Sequence, residues 1–320
     1  MKEAWQFLLN EVKLDTPLPQ EEAWKGIPIS EDHYTSFSSQ KGRVGYVDGG
    51  SALLLEAPSF ILQKIRLVGV VFDQGKRVLS KKEEFEVIVQ LKEGSWKVSC
   101  FPENRFSNVK INLKESSLQE GSSQVNCSKV GELIRRLAEL DFLTRFMQQT
   151  EADVFVLDGS FESTTPFEKP FLKEIQEQGK PCIGLSKTSK VLTNEGVDMA
   201  SALAKRKLGS WWYHPVLETG EEWSLGFVRL HNKAKYVFRL DFWKGSKVNQ
   251  VISYLGEESK DPVFLGYPYG LIVADQLARV KNEERDFLLM RFKVEARDKW
   301  EQIASCLRST DAHSVLDKIR

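Results

Sequence analysis

Hydrophobic and polar positions alternate with a period of two through much of the first third of the chain. In VGYVDGG (residues 44–50), Val44, Tyr46 and Asp48 share one side of a strand that Gly49 and Gly50 are expected to end. The run IRLVGVVFD, residues 65–73, is short, apolar and rich in β-branched residues, as in a strand covered on both faces. Phe85, Val87, Val89 and Leu91 alternate with polar neighbours apart from Ile88. Trp96, Val98 and Cys100 alternate again beyond Lys92-Glu93-Gly94-Ser95, which predicts a hairpin with a short turn. Together these predict about four consecutive, largely antiparallel strands. Residues 107–128 are polar and Ser-rich and read as a loop or mobile insertion.

The period then changes. In VGELIRRLAELDFLTRFMQQ, Leu133, Leu137 and Leu140 form the apolar stripe of a helix. VFVLDGS (154–160) reads as a buried strand, FEKPFLKEIQEQGK (167–180) as a helix and PCIGLSK (181–187) as another short strand. A further hairpin follows, with Leu225 and Phe227 alternating on one arm and Tyr236, Phe238, Leu240 and Phe242 on the other. A helix near 247–256, a helix beginning after Pro268 and two charged helical segments close the chain. At the N-terminus, Trp5, Leu8, Leu9 and Val12 fit one face of an amphipathic helix, and residues 15–42 read as an irregular arm. A meander followed by strand, helix, strand predicts an α/β fold: a mixed sheet flanked by helices, with an additional hairpin and C-terminal helices. No internal repeat or composition break divides the chain. Residues 1–320 are read as one domain, with an N-terminal helix and arm (1–42), a core (43–280) and a C-terminal helical segment (281–320).

Composition narrows the function classes. Hydrophobic residues make up 41% and charged residues 28%, ordinary for a globular protein that buries a core. Lys plus Arg and Asp plus Glu both number 45, so bulk charge gives no support for nucleic-acid binding. Any such binding needs locally placed basic residues or a partner that delivers the strand. Cys100, Cys127, Cys182 and Cys306 form no CxxC pair, which excludes a zinc ribbon, and their sparseness fits reduced cytosolic thiols. His33, His214, His231 and His313 are scattered and form no HExxH. The N-terminus lacks the pattern of a signal peptide and no apolar stretch approaches 18 residues, so the expectation is a cytoplasmic protein with no membrane contact.

Candidate chemistry begins with Asp48 and Asp158. Each follows an apolar strand and precedes glycine, a grammar shared with simple turns. Used twice in one mixed sheet, it places two carboxylates near the carboxyl ends of central strands, where ligands bind. Two such carboxylates repel unless a cation holds them, and Mg²⁺ or Mn²⁺ prefers oxygen ligands. The helix carrying Arg135 and Arg136 offers Glu139 as a third carboxylate, with Glu132 and Asp141 as rivals that helix phase does not separate. Lys187, in LSKTS, is placed either to contact a phosphate oxygen or to sit in a polar surface loop. Tyr267 and Asp275 reach one site if a helix starts after Pro268, and otherwise serve a cap and the core. Trp211, Trp212 and Tyr213 offer stacking surfaces for single-stranded bases, against the alternative that they are core.

Taken in order, VGYVDGGS, the Arg-Arg-Glu helix, VFVLDGSF, GLSKTS and GYPYGLIVADQLA, spanning residues 44 to 278, resemble the NurA nuclease family. The resemblance implies an RNase H-like core and a Mn²⁺-dependent (or Mg²⁺-dependent) DNA nuclease, exonucleolytic and endonucleolytic on single strands. It further implies a homodimer that works with a hexameric HerA-type ATPase in DNA end resection. Carried over by motif, Asp48, Glu139 and Asp158 are metal carboxylates and Tyr267 an active-site tyrosine. Lys187 would face the scissile phosphate. Asp275 stands where many relatives have His, so it is expected as an oxygen ligand rather than a nitrogen one. Two other readings compete. One is a catalytically inactive DNA clamp or adaptor for that ATPase. The other is an actin-like ATP-binding protein, which DGG at a strand end also resembles but which lacks a second glycine-rich phosphate loop.

Overall fold

The structure, a computed structural model, describes residues 24–307. The amphipathic stripe of Trp5, Leu8, Leu9 and Val12 and the C-terminal SVLDKIR lie outside them.

The strands are β1 (Lys25–Gly26), β2 (Tyr34–Thr35), β3 (Arg43–Ala57), β4 (Phe60–Asp73), β5 (Lys76–Lys92), β6 (Ser95–Phe101), β7 (Lys110–Asn112), β8 (Val154–Asp158), β9 (Cys182–Ser186), β10 (Trp211–Tyr213), β11 (Leu217–Glu218), β12 (Trp223–Arg229) and β13 (Phe238–Trp243). The helices are α1 (Cys127–Gln148), α2 (Lys169–Glu177), α3 (Met199–Arg206), α4 (Val248–Glu258), α5 (Tyr269–Ala278) and α6 (Asn282–Ala296). An 11-stranded sheet runs in the order β2-β10-β12-β13-β9-β8-β3-β4-β5-β6-β7. The pairs β3–β8 and β8–β9 are parallel and every other pair is antiparallel, so the sheet is mixed, as the sequence predicts.

Helices cover both faces. On one, α1 packs Leu133, Ile134, Leu137 and Phe146 against Ile65, Leu67 and Val87. Most of its turns are buried, which follows from its position between the sheet and α2. On the other face, α4 and α5 bring Ile252, Leu255, Leu271 and Ala274 onto Tyr46, Val68, Val70 and Val156.

Three expectations are corrected. Gly49 and Gly50 do not end the first strand: β3 continues unbroken to Ala57, paired with β4 from Arg43↔Asp73 to Ala57↔Phe60. The second glycine is there for close approach, because a Cβ on Gly50 would lie 2.2 Å from the Ala278 carbonyl oxygen at the end of α5. Residues 107–128 are not a free loop. They carry β7 and bury Phe106 beside it and Ile111, Leu118 and Val125 within, and the Trp96 indole N–H donates to the Val125 carbonyl at 2.8 Å. The described part of the arm is also not irregular throughout: β2 pairs with β10 at the sheet edge and β1 with β11. Polar composition hid both segments, since each contributes only a few buried side chains.

Candidate metal centre

The parallel register places the site. Pairing between β3 and β8 spans Val44↔Val154 to Val47↔Leu157, so Asp48 stands one residue beyond it. Asp158 is the last residue of β8 and pairs with Leu185 of β9. The two carboxylates therefore emerge from neighbouring strands where parallel pairing stops, the position at which α/β sheets present ligand sites. Asp275, on α5, approaches from the opposite layer. One carboxylate oxygen from each of Asp48, Asp158 and Asp275 lies within 4.8 Å of the other two. They line a cleft of about 680 Å³ shared with Gly49, Arg135, Arg136, Glu139 and Lys187.

Burial pushes the Asp48 pKa up to about 7, reinforced by the charges of Glu139 and Asp158. Burial also raises the Asp158 pKa, more than its ion pair with Lys187 lowers it. An enclosed set of carboxylates that resist ionising together is the electrostatic complement of a cation. The donors are all oxygen, which fits a hard divalent ion such as Mg²⁺ or Mn²⁺ and not a thiolate-preferring one.

Glu139 is buried and joins the same cleft. The Gly49 N–H donates both to its Oε1, at 3.1 Å, and to Asp48 Oδ1, at 2.7 Å. Its other oxygen is held by Arg135 at 3.4 Å and Arg136 at 3.5 Å. Burial raises its pKa against the lowering effect of these two arginines. Of the rivals, Asp141 faces away from the cleft, held by Arg105 at 2.5 Å and Arg145 at 3.0 Å, whereas Glu132 lines the same cleft, paired with Lys129 at 3.3 Å and outside the three-carboxylate group. Glu139 thus reaches Asp48, but through the Gly49 N–H and outside the three-carboxylate group.

Lys187 Nζ lies 2.5 Å from Asp158 Oδ2 and 3.5 Å from Asp275 Oδ1. Burial works against its charge, but these carboxylates outweigh it and its pKa is raised. Tyr267 is buried beneath it, with the ammonium 5.7 Å from the ring centroid. The Tyr267 hydroxyl makes no well-formed hydrogen bond. Burial first, then the charges of Asp158, Asp48 and Asp275, raises its pKa. Arg279 also holds Asp275, at 2.8 Å.

Other residues build the site without having been singled out in the sequence. Arg239 is buried and bonds Asp241 at 2.7 Å and Glu162 at 2.6 Å, and Asp241 accepts the Phe161 N–H at 2.9 Å. This pins the segment after Asp158. A Cβ on Gly184 would come within 2.5 Å of the Gly159 carbonyl, so β9 must be bare there. The signal was present: Arg239 and Asp241 sit two apart, hence on one face, in an otherwise apolar FRLDFW. Glu168 accepts the Thr164 and Thr165 N–H groups and Arg136 Nε at 3.2 Å, closing a Thr165–Glu168 capping box. For the aromatic triplet the core alternative holds at two of three positions. Trp211 and Tyr213 are fully buried around Tyr34, and Trp212 is half-buried, stacked on His214. Core burial accounts for Trp211 and Tyr213.

The fold is RNase H-like, with an acidic cluster where its central parallel strands end. It is the fold of NurA: the crystal structure of the NurA nuclease from Sulfolobus solfataricus superposes with a TM-score of 0.56 at 13% identity, covering 93% of each chain. A second NurA crystal structure gives 0.49 at 9% identity over 93% of this chain and 97% of that one. Endonuclease V from Ciona intestinalis, solved in complex with DNA, gives 0.43 at 14% identity over 76% of this chain and 90% of that one. The sequence matches no protein-family profile and no curated protein. No helix among the described residues is long and apolar enough to cross a membrane.

Proposed function

We propose that the protein is a divalent-metal-dependent DNA nuclease of the NurA kind, with residues 43–280 as its catalytic core. The observation that carries this reading is the convergence of Asp48, Asp158 and Asp275 within 4.8 Å on a NurA-like fold. These three would hold Mn²⁺ or Mg²⁺. When bound, the ion supplies Lewis-acid stabilisation of a phosphodiester and acidifies a water for in-line attack.

The chain's own groups do the rest. Lys187, whose ammonium already sits at the carboxylates, turns to neutralise a non-bridging phosphate oxygen. Glu139, locked by Arg135, Arg136 and the Gly49 N–H, orients Asp48 and adds negative charge behind it. Tyr267 holds the floor of the cleft and offers its unpaired hydroxyl toward the Asp158 carboxylate. Asp275 favours the active reading over an inert adaptor, because it extends the ligand set rather than interrupting it.

Exonucleolytic and single-strand endonucleolytic action, dimerisation, partnership with a hexameric HerA-type ATPase and a place in end resection rest on the motif resemblance alone. The balanced charge, 45 basic against 45 acidic residues, also suits a nuclease whose substrate is delivered by a motor. The test is digestion of end-labelled single-stranded DNA with Mn²⁺. Wild type is expected to cleave and Asp48→Asn to be silent. Equal cleavage by both rejects the site. Saturable ATP binding by a wild type that never cleaves, even with the ATPase, rejects the nuclease reading.

A further inference from the structure

Beyond the cleft, an aromatic ladder leads away from Tyr267 to the surface. The Tyr267 ring meets Phe238 at 4.9 Å between centroids and Phe264 edge-on at 6.0 Å. Phe264 in turn stacks on Tyr236 at 5.6 Å, with only 21° between the ring planes. After that stacking Tyr236 remains 57% and Phe264 40% exposed, so the pair is not a core element. Two exposed rings held parallel by each other form a rigid platform, and little entropy is lost when a third flat group joins.

The chemistry around the platform selects the guest. A second cleft of about 290 Å³ contains both Lys187 and Tyr236 and is lined also by Thr188, Ser189, Lys235, Arg239 and Asp198, whose carboxylate is taken up in capping α3 by the Ser201 N–H. Lys235 has no carboxylate partner among the described residues, unlike Lys187, which has two. Hydroxyls and an unpaired ammonium beside exposed rings match a phosphodiester backbone with its bases unstacked. A paired duplex hides its base faces and has nothing to place on a ring. The cleft shares Lys187 with the acidic cluster, so a strand lying in it runs continuously past the three carboxylates.

We propose that Tyr236 and Phe264 form a base-stacking platform for single-stranded nucleic acid, with Lys235 and the Thr188–Ser189 hydroxyls holding the backbone between platform and metal centre. The assignment rests on the nuclease reading above. It gives that site a substrate state, a melted strand, and replaces the Trp211–Tyr213 triplet as the stacking surface.

The test uses the full-length protein with Ca²⁺ in place of Mn²⁺, to limit cleavage, and a fluorescein-labelled oligo(dT) for anisotropy. Parallel oligonucleotides carry 2-aminopurine at successive positions to report stacking. Tyr236→Ser/Phe264→Ser is expected to weaken single-strand binding about tenfold or more and to abolish quenching of one or two adjacent 2-aminopurines. Lys235→Gln is expected to weaken binding and flatten its salt dependence while leaving the quenching pattern intact. Hydrolysis of bis(p-nitrophenyl) phosphate with Mn²⁺, which needs no platform, separates the two readings. A wild type inactive on both this ester and DNA removes the nuclease reading and the platform with it. Activity in wild type and variants, with unchanged oligonucleotide affinity and quenching, overturns the platform alone. Unfolding of the double variant, seen as lost ester hydrolysis, is met by Tyr236→Leu and Phe264→Leu. These keep apolar bulk and are still expected to lose the quenching.

Discussion

At the scale of single residues, the site is governed by the cost of enclosing negative charge. Asp48 has a folded-state pKa of about 7 against an ordinary value of 3.8. The unfolded chain therefore gives up this proton more readily than the folded one. The stability contributed by protonated Asp48 is complete below the ordinary value and is lost as pH rises through about 7. Metal-free protein should accordingly melt lower at pH 8 than at pH 6, and Asp48→Asn should raise the metal-free melting temperature at pH 8 by roughly 2–4 °C. The same substitution should lower Mn²⁺-dependent cleavage roughly a hundredfold or more. Calorimetry and a cleavage assay on one preparation read both, and a variant that loses melting temperature along with activity would show that Asp48 serves the fold. The grouping of Asp48, Asp158, Lys187, Tyr267 and Asp275 was legible in the sequence because Asp48 and Asp158 each follow an apolar run and precede glycine, Lys187 follows a short apolar strand, and Tyr267 and Asp275 flank the helix start at Pro268. Glu139 was legible only as one of three carboxylates. Choosing among them needed the Gly49 N–H, a contact across 90 residues.

At the scale of elements, the structure depends on bare backbone and one buried ion pair. Gly50→Ala would force its methyl into the Ala278 carbonyl, a backbone atom that cannot swing aside, and should destabilise by about 1–3 kcal/mol. Arg239→Met leaves Asp241, fully buried, without its partner and should cost about 3–5 kcal/mol in chemical denaturation. Adding Asp241→Leu should recover part of that loss while still weakening cleavage, since the Phe161 N–H loses its acceptor and the segment after Asp158 is freed. If the double variant is no more stable than Arg239→Met, the pair contributes through its attraction and not through the penalty of a lone charge. The longer elements were mostly readable from periodicity, although the short helix α3 and the strands β10 and β11 were not expected. Strand ends were misplaced at Gly49-Gly50, where glycine marks close packing and not a turn. Short edge strands in polar segments, β1, β2 and β7, were missed because two or three residues are too few to show a period.

At the scale of the whole molecule, a neutral chain with a locally mixed cleft should bind duplex DNA weakly by itself. Affinity near physiological salt is expected to be poor and its salt slope shallow. Degradation of long duplexes should become efficient only when a HerA-type ATPase hydrolysing ATP is added. Digestion followed with and without the ATPase checks this, and fast unaided degradation of duplex would remove the need for a motor. Light scattering on the isolated protein should report a dimer. Little at this scale was legible from residue patterns, because partner surfaces have no period and charge balance is a bulk quantity. The order of motifs along the chain does match the adjacency of β3, β8 and β9 in the sheet.

The unbroken course of β3 through Asp48 has a consequence for how the site breathes. Asp48 stands inside a ladder that continues on both sides of it along β4, whereas Asp158 ends its strand and Asp275 rides on a helix, tied to the β9 end through Lys187. Amide hydrogen exchange around Asp48 should be slow with or without bound ion. The β8 terminus and α5 should exchange faster when the ion is removed. One wall of the centre is then an anvil, and a bound ion would draw the other wall against it.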